Sequence, residues 1–131
     1  MKKYWKTRIP VLTLPSAPSI ADAIDRLERS HVRTQLVVDC SHANCSKDHT
    51  KQRVAFHDLL EQRVAGNKNI VGMMLESHLL AGNQPIDESN PGNLKYGVSI
   101  TDPCVDWEET VDLLTEAYQA LGSTEKMRAS A

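Results

Sequence analysis

Three side chains able to hold a metal ion each follow a short apolar run. His42 comes after QLVVDC (Gln35 to Cys40), Glu76 after IVGMML (Ile70 to Leu75) and Asp102 after GVSIT (Gly97 to Thr101). Runs of this length, bounded by polar or turn-forming residues, read as buried strands. Side chains that leave neighbouring parallel strands at their carboxyl ends converge on one point. One imidazole and two carboxylates suit a borderline-hard divalent cation such as Mn, Fe, Zn or Co. The pattern predicts part of a metal-dependent α/β enzyme.

The elements that must position these residues follow from periodicity and punctuation. Ser19 with Asp22 forms an [ST]-x-x-[DE] box, and Ile20, Ala23, Ile24 and Leu27 recur at helical spacing, which predicts a helix from about Ile20 to Ser30. A strand over Gln35 to Cys40 leads into the polar loop SHANCSKD. A second helix spans about Asp48 to Ala65, with Phe56, Leu59, Leu60 and Val64 on one face and Gly66 as its stop. The strand Ile70 to Leu75 precedes a long loop, Ser77 to Tyr96, punctuated by Gly82, Pro85, Pro91 and Gly92. Gly97 to Thr101 is the third expected strand. Asp106 then caps a third helix that reaches Leu121 and stops at Gly122. This order implies a parallel sheet covered by helices. Residues 1–18 show no clear periodicity apart from a possible strand at Pro10 to Leu14, and residues 123–131 read as a flexible tail.

Bulk properties limit the partners. The 131 residues, 40% apolar and 24% charged, suffice for one domain with a core. A closed eight-unit barrel takes roughly 250 residues. A formal net charge of -2, with acids and bases mixed, favours neither nucleic acid nor an acidic membrane. No segment approaches the ~20 apolar residues of a membrane span. The three cysteines, Cys40, Cys45 and Cys104, with no secretory leader, suggest a reducing, cytoplasmic setting without disulfides.

The segments DCSHANCSK (Asp39 to Lys47), GMMLESHLLAGNQ (Gly72 to Gln84) and YGVSITDPCVDWEET (Tyr96 to Thr110), taken together, resemble the class I, feedback-regulated 3-deoxy-D-arabino-heptulosonate 7-phosphate (DAHP) synthases. The resemblance covers roughly Ser19 to Leu121. It implies the C-terminal portion, the last three strands, of a (β/α)8 TIM barrel over residues 19–122, behind an unmatched leader of residues 1–18. It implies the condensation of phosphoenolpyruvate with erythrose 4-phosphate, the first step of the shikimate pathway. The family's metal ligands in SHAN, ESH and ITD fall on His42, Glu76 and Asp102. Its fourth ligand, a cysteine, and the cations that hold the substrates' phosphates belong to earlier strands, and where an LRGG-like strand is expected the chain has PVLTLPSAP. A truncated or frame-shifted gene, or an engineered fragment, would produce such a join.

Further roles are expectations of the same reading. Asp102 orients the aldose as well as the metal. His78, two residues beyond Glu76, serves as a proton relay or a donor behind the ligands, or else is a loop histidine bonded to backbone. Lys47 meets a substrate phosphate or is simply solvated. Cys45 and Cys104 either substitute for the missing thiolate or are inert and buried, and Cys40 is core. With most of a barrel missing, exposed sheet edges predict self-association and little or no turnover. The alternatives are a non-catalytic folded remnant with a weak divalent-metal site, and a related octulosonate 8-phosphate synthase, against which the SHAN, ESHL, GNQ and SITD set argues.

Overall fold

The computed structural model describes residues 11–12, 16–45 and 48–129. Three parallel strands form one sheet in the order β1 (Val11–Leu12), β2 (Leu36–Asp39), β3 (Ile70–Met74). Helices α1 (Ala17–Arg29) and α2 (Gln52–Val64) make the two crossovers, and α3 (Trp107–Ala129) follows a long excursion from the end of β3. The architecture is α/β.

β-Branched residues place β2 at the centre: Val37 pairs with Val11 on one side and Gly72 on the other, and Val38 with Leu12 and Met73. One face of this sheet is sealed by the helices. Leu36, Val38 and Cys40 from the β2 segment and Ile70 from β3 pack with Ile20 of α1, with Phe56, Leu59 and Leu60 of α2 and with Leu113 of α3, all buried. Val64, expected on this face, is 36% exposed because it sits at the end of α2. Gly66, at φ 112°, ends that helix as expected.

Four expectations are corrected. Gly97–Thr101 is not a strand. Gly97 takes φ 83°, a turn conformation, and the Ser99 hydroxyl accepts from the Thr101 amide, so local bonds replace a ladder. The third strand is β1, which falls within the possible strand at Pro10 to Leu14 that the sequence offered. Helix α1 begins at Ala17, not Ile20: the Ser16 carbonyl accepts from Ile20 N, and Pro18 lies in the first turn, where its missing N–H costs nothing. Asp22 pairs with Arg26 at 2.9 Å rather than closing a capping box with Ser19. Helix α3 runs through Gly122 to Ala129. Gly122 is not among the positive-φ glycines, so it makes no left-handed cap, and the helix formers Glu125, Lys126, Met127, Arg128 and Ala129 follow it.

At its N-terminus α3 is capped as the sequence implies, with Asp106 Oδ1 accepting from Glu109 N at 2.8 Å. Ion pairs fasten α3 to α2. Arg53 bonds Glu109 at 3.1 Å and Glu116 at 3.2 Å, and His57 Nε2 lies 2.6 Å from Glu116 Oε2. The His57 bond, aided by Arg53, holds the Glu116 carboxyl below its ordinary pKa. Among the described residues, no helix is long and apolar enough to cross a membrane.

Candidate metal centre

β2 delivers its last residue, Asp39, into the protein interior, where it is 2% exposed. The chain then turns sharply, and His42 adopts φ 49°, a conformation that non-glycine residues seldom take. The turn brings the imidazole back over the strand end. His42 Nδ1 lies 2.7 Å from Asp39 Oδ2 and 2.9 Å from Ser41 Oγ, while Ser41 donates through both its amide and its hydroxyl to Asp39 Oδ1.

These contacts set the charge state. Burial pushes the Asp39 carboxyl up, but the Ser41 donors and the His42 ring outweigh it and hold the group below its ordinary range. The hydrogen bond that His42 donates to Asp39, then the Asp39 charge, raises the His42 pKa, with smaller contributions from Asp102 and Glu76. With Nδ1 engaged by a carboxylate, Nε2 is the free nitrogen. A carboxylate behind an imidazole is the usual support of a metal-bound histidine.

Nε2 faces two further carboxylates, Glu76 Oε1 at 3.8 Å and Asp102 Oδ2 at 3.7 Å. One ligand atom from each of His42, Glu76 and Asp102 lies within 4.8 Å of the other two. Ligand atoms about 2.1 Å from a shared ion stand roughly 3.4 Å apart at a tetrahedral angle and about 4.2 Å apart when opposite. The two separations from His42 fall in that interval, and the Glu76 and Asp102 ligand atoms lie within 4.8 Å of each other, so the donor types and spacing suit one divalent cation after a small closure of the carboxylates. The side chains are 33–54% exposed, which leaves the site open on one side for further ligands.

Different devices hold the two carboxylates. Glu76 lies two residues past β3, and its backbone is clasped by Gln52 of α2 and by Val105 N, which donates to Glu76 O at 2.9 Å. Asp102 sits on a loop rather than at a strand end, contrary to expectation. That loop is stitched to the segment after β3 by isolated pairings of Ser77 with Val105, Gly82 with Cys104 and Asn83 with Ser99, and Asn83 Nδ2 donates to Thr101 O at 2.8 Å. Gly97 is required in this weave: its φ is positive, and a Cβ there would lie 3.1 Å from Leu79 Cβ.

The structure leaves the other candidates out of the ligand cluster or undescribed. His78 Nδ1 lies 2.5 Å from the Gly97 carbonyl and 2.9 Å from the Leu79 amide, the loop-histidine arrangement. Lys47 lies outside the described residues. Cys40, Cys45 and Cys104 are buried thiols outside any disulfide, and among the described residues none joins the ligand cluster. Burial, with the Asp39 charge next, pushes the Cys40 thiol up to about 12, and burial also raises Cys104. Protonated thiols are poor ligands.

Sequence reasoning passed over Asp39 and Gln52. A signal existed for each. Asp39 is an acid ending an otherwise apolar strand, and Gln52 is a polar residue in the first slot of the buried stripe Gln52, Ala55, Phe56, Leu59.

Comparisons with known proteins agree with this geometry. A profile described as the DAHP synthetase I family matches residues 16–115. The chain is 39% identical over 106 residues to the Tyr-sensitive phospho-2-dehydro-3-deoxyheptonate aldolase of Escherichia coli (strain K12), covering 81% of this chain and 30% of that protein. It is 41% identical over 105 residues to a phospho-2-dehydro-3-deoxyheptonate aldolase of Alternaria alternata, covering 80% and 28%. Among solved structures, the phospho-2-dehydro-3-deoxyheptonate aldolase of Francisella tularensis SCHU S4 superposes with a TM-score of 0.77 at 39% identity, over 84% of this chain and 33% of that one. The chain thus spans about 30% of the length of these relatives. A family profile spanning most of the chain, together with close structural agreement, establishes that the chain belongs to the DAHP synthetase I family.

Proposed function

We propose that these residues form the metal-holding part of a 3-deoxy-7-phosphoheptulonate synthase, which condenses phosphoenolpyruvate with erythrose 4-phosphate. The observation that carries this reading is the approach of His42 Nε2 to Glu76 at 3.8 Å and Asp102 at 3.7 Å, with Nδ1 anchored on Asp39. In the complete protein, β2 and β3 belong to the C-terminal portion of a (β/α)8 barrel whose earlier strands hold the substrates, and the setting is cytoplasmic.

His42, Glu76 and Asp102 would hold a divalent ion, Mn, Fe, Zn or Co. Such an ion supplies Lewis-acid polarisation of the aldehyde of the four-carbon sugar phosphate. Asp102, at 54% the most exposed of the three, is placed to orient the aldose as well. Lys47 serves a substrate phosphate, and His78, through its ring, passes a proton or fixes the loop that carries Asp102.

A graft tests this reading. Residues 16–115, exchanged for the matching segment of the Escherichia coli Tyr-sensitive relative, are expected to leave a folded enzyme with product formation. A folded chimera without turnover would contradict the proposal.

Among the described residues the outer edge of β3 has no neighbouring strand, and Trp107, Val111, Leu114 and Tyr118 of α3 are 42–82% exposed at helical spacing. Both features support self-association of the purified chain. Sedimentation velocity is expected to show species larger than a monomer, and a compact monomer at high concentration would contradict it.

A further inference from the structure

Gln52 opens α2 and is completely buried, on the face that otherwise carries Ala55, Phe56 and Leu59. Both polar ends of its amide are spent on one residue. Its Oε1 accepts from Glu76 N at 2.9 Å, and its Nε2 donates to Glu76 O at 3.2 Å. This two-point contact copies what a neighbouring strand would provide.

The position needs such a substitute. The ladder between β2 and β3 ends with Cys40 N donating to Met74 O at 2.9 Å, so the Glu76 peptide lies beyond it. On its other side Val105 N donates to the Glu76 carbonyl at 2.9 Å. Without Gln52 the Glu76 amide would lose its partner, and a buried polar group left unmatched is costly. The side chain of Glu76 starts from this peptide, so the direction of its carboxylate toward His42 Nε2 follows from where the peptide is held.

We propose that Gln52 is a positioning residue for Glu76, holding the peptide so that the carboxylate meets the ion beside His42 and Asp102. The inference rests on the metal reading above and adds to it a residue that touches no ligand atom of the ion. A purely space-filling role would be met equally well by methionine, which has similar length and no amide.

The test combines Mn(II) titration followed by electron paramagnetic resonance with amide exchange at Glu76 in the metal-free protein. The wild type is expected to bind Mn(II) and to protect the Glu76 N–H. Gln52→Met is expected to lose that protection and to bind about ten- to a hundredfold more weakly, the usual cost of removing a group that orients a ligand. Leu60→Ala, a core truncation in the same helix, is expected to lower stability and leave affinity unchanged. Equal affinity in the wild type and Gln52→Met would overturn the role of Gln52 while leaving the metal reading intact. A wild type that holds no Mn(II) would overturn both. Should Gln52→Met fail to fold, exchange in the wild type decides: an unprotected Glu76 N–H overturns the proposal, and a protected one supports it.

Discussion

The 131-residue chain, purified alone, is expected to form no heptulosonate product from phosphoenolpyruvate and erythrose 4-phosphate above the uncatalysed background. Joining these substrates brings together two phosphates and a carboxylate, and such a transition state requires cations already in place. The resemblance assigns those cations to strands outside the matched segment. Arg53, a cation of the described part, is committed to Glu109 and Glu116. A charge-assisted hydrogen bond contributes about 1.5–3 kcal/mol, so losing three removes about 4.5–9 kcal/mol. At about 1.4 kcal/mol per tenfold, the rate falls by roughly three to six powers of ten. A discontinuous product assay with purified protein and added Mn(II) measures this. Product that disappears on His42→Ala would contradict the expectation.

What the sequence revealed depended on whether the local signal was also the deciding force. β2 and β3 were legible because LVV and IVGMM are apolar and β-rich, and burial between neighbours agrees with propensity. α2 was legible because Phe56, Leu59 and Leu60 share a face and Gly66 can take the left-handed turn. GVSIT carries the same kind of signal, yet Ile100 is 47% exposed and Ser99 makes an isolated bridge to Asn83 instead of a continuous ladder, so no strand forms there. Gly122 resembles a stop, but a glycine ends a helix only when its backbone turns, and here the residues beyond it keep helical form.

For the site, His42, Glu76 and Asp102 stood out because metal-ligating residue types closed three apolar runs. The structure gathers them by different means than strand ends alone. Asp102 arrives on a loop tied to the segment after β3, a long-range arrangement with no short-range signature. Asp39 and Gln52 act through another residue, and such roles become visible only when partners are seen: Asp39 against His42 Nδ1, Gln52 against the Glu76 backbone.

The second large effect concerns the ion itself. His42 brings one neutral nitrogen, and Glu76 and Asp102 bring two negative charges on partly exposed side chains. On the proposed reading, three protein ligands with an open side resemble a site completed by water or substrate. Removing either carboxylate takes away a ligand and half of the site's negative charge, so binding should vanish rather than weaken slightly. The metal is expected to bind at micromolar strength or weaker, because the site is held partly by a loop. Isothermal titration of Mn(II) into the wild type and Glu76→Ala is therefore the direct measurement: the account predicts one-site binding in the wild type and none in Glu76→Ala, and equal binding by the two proteins would contradict it.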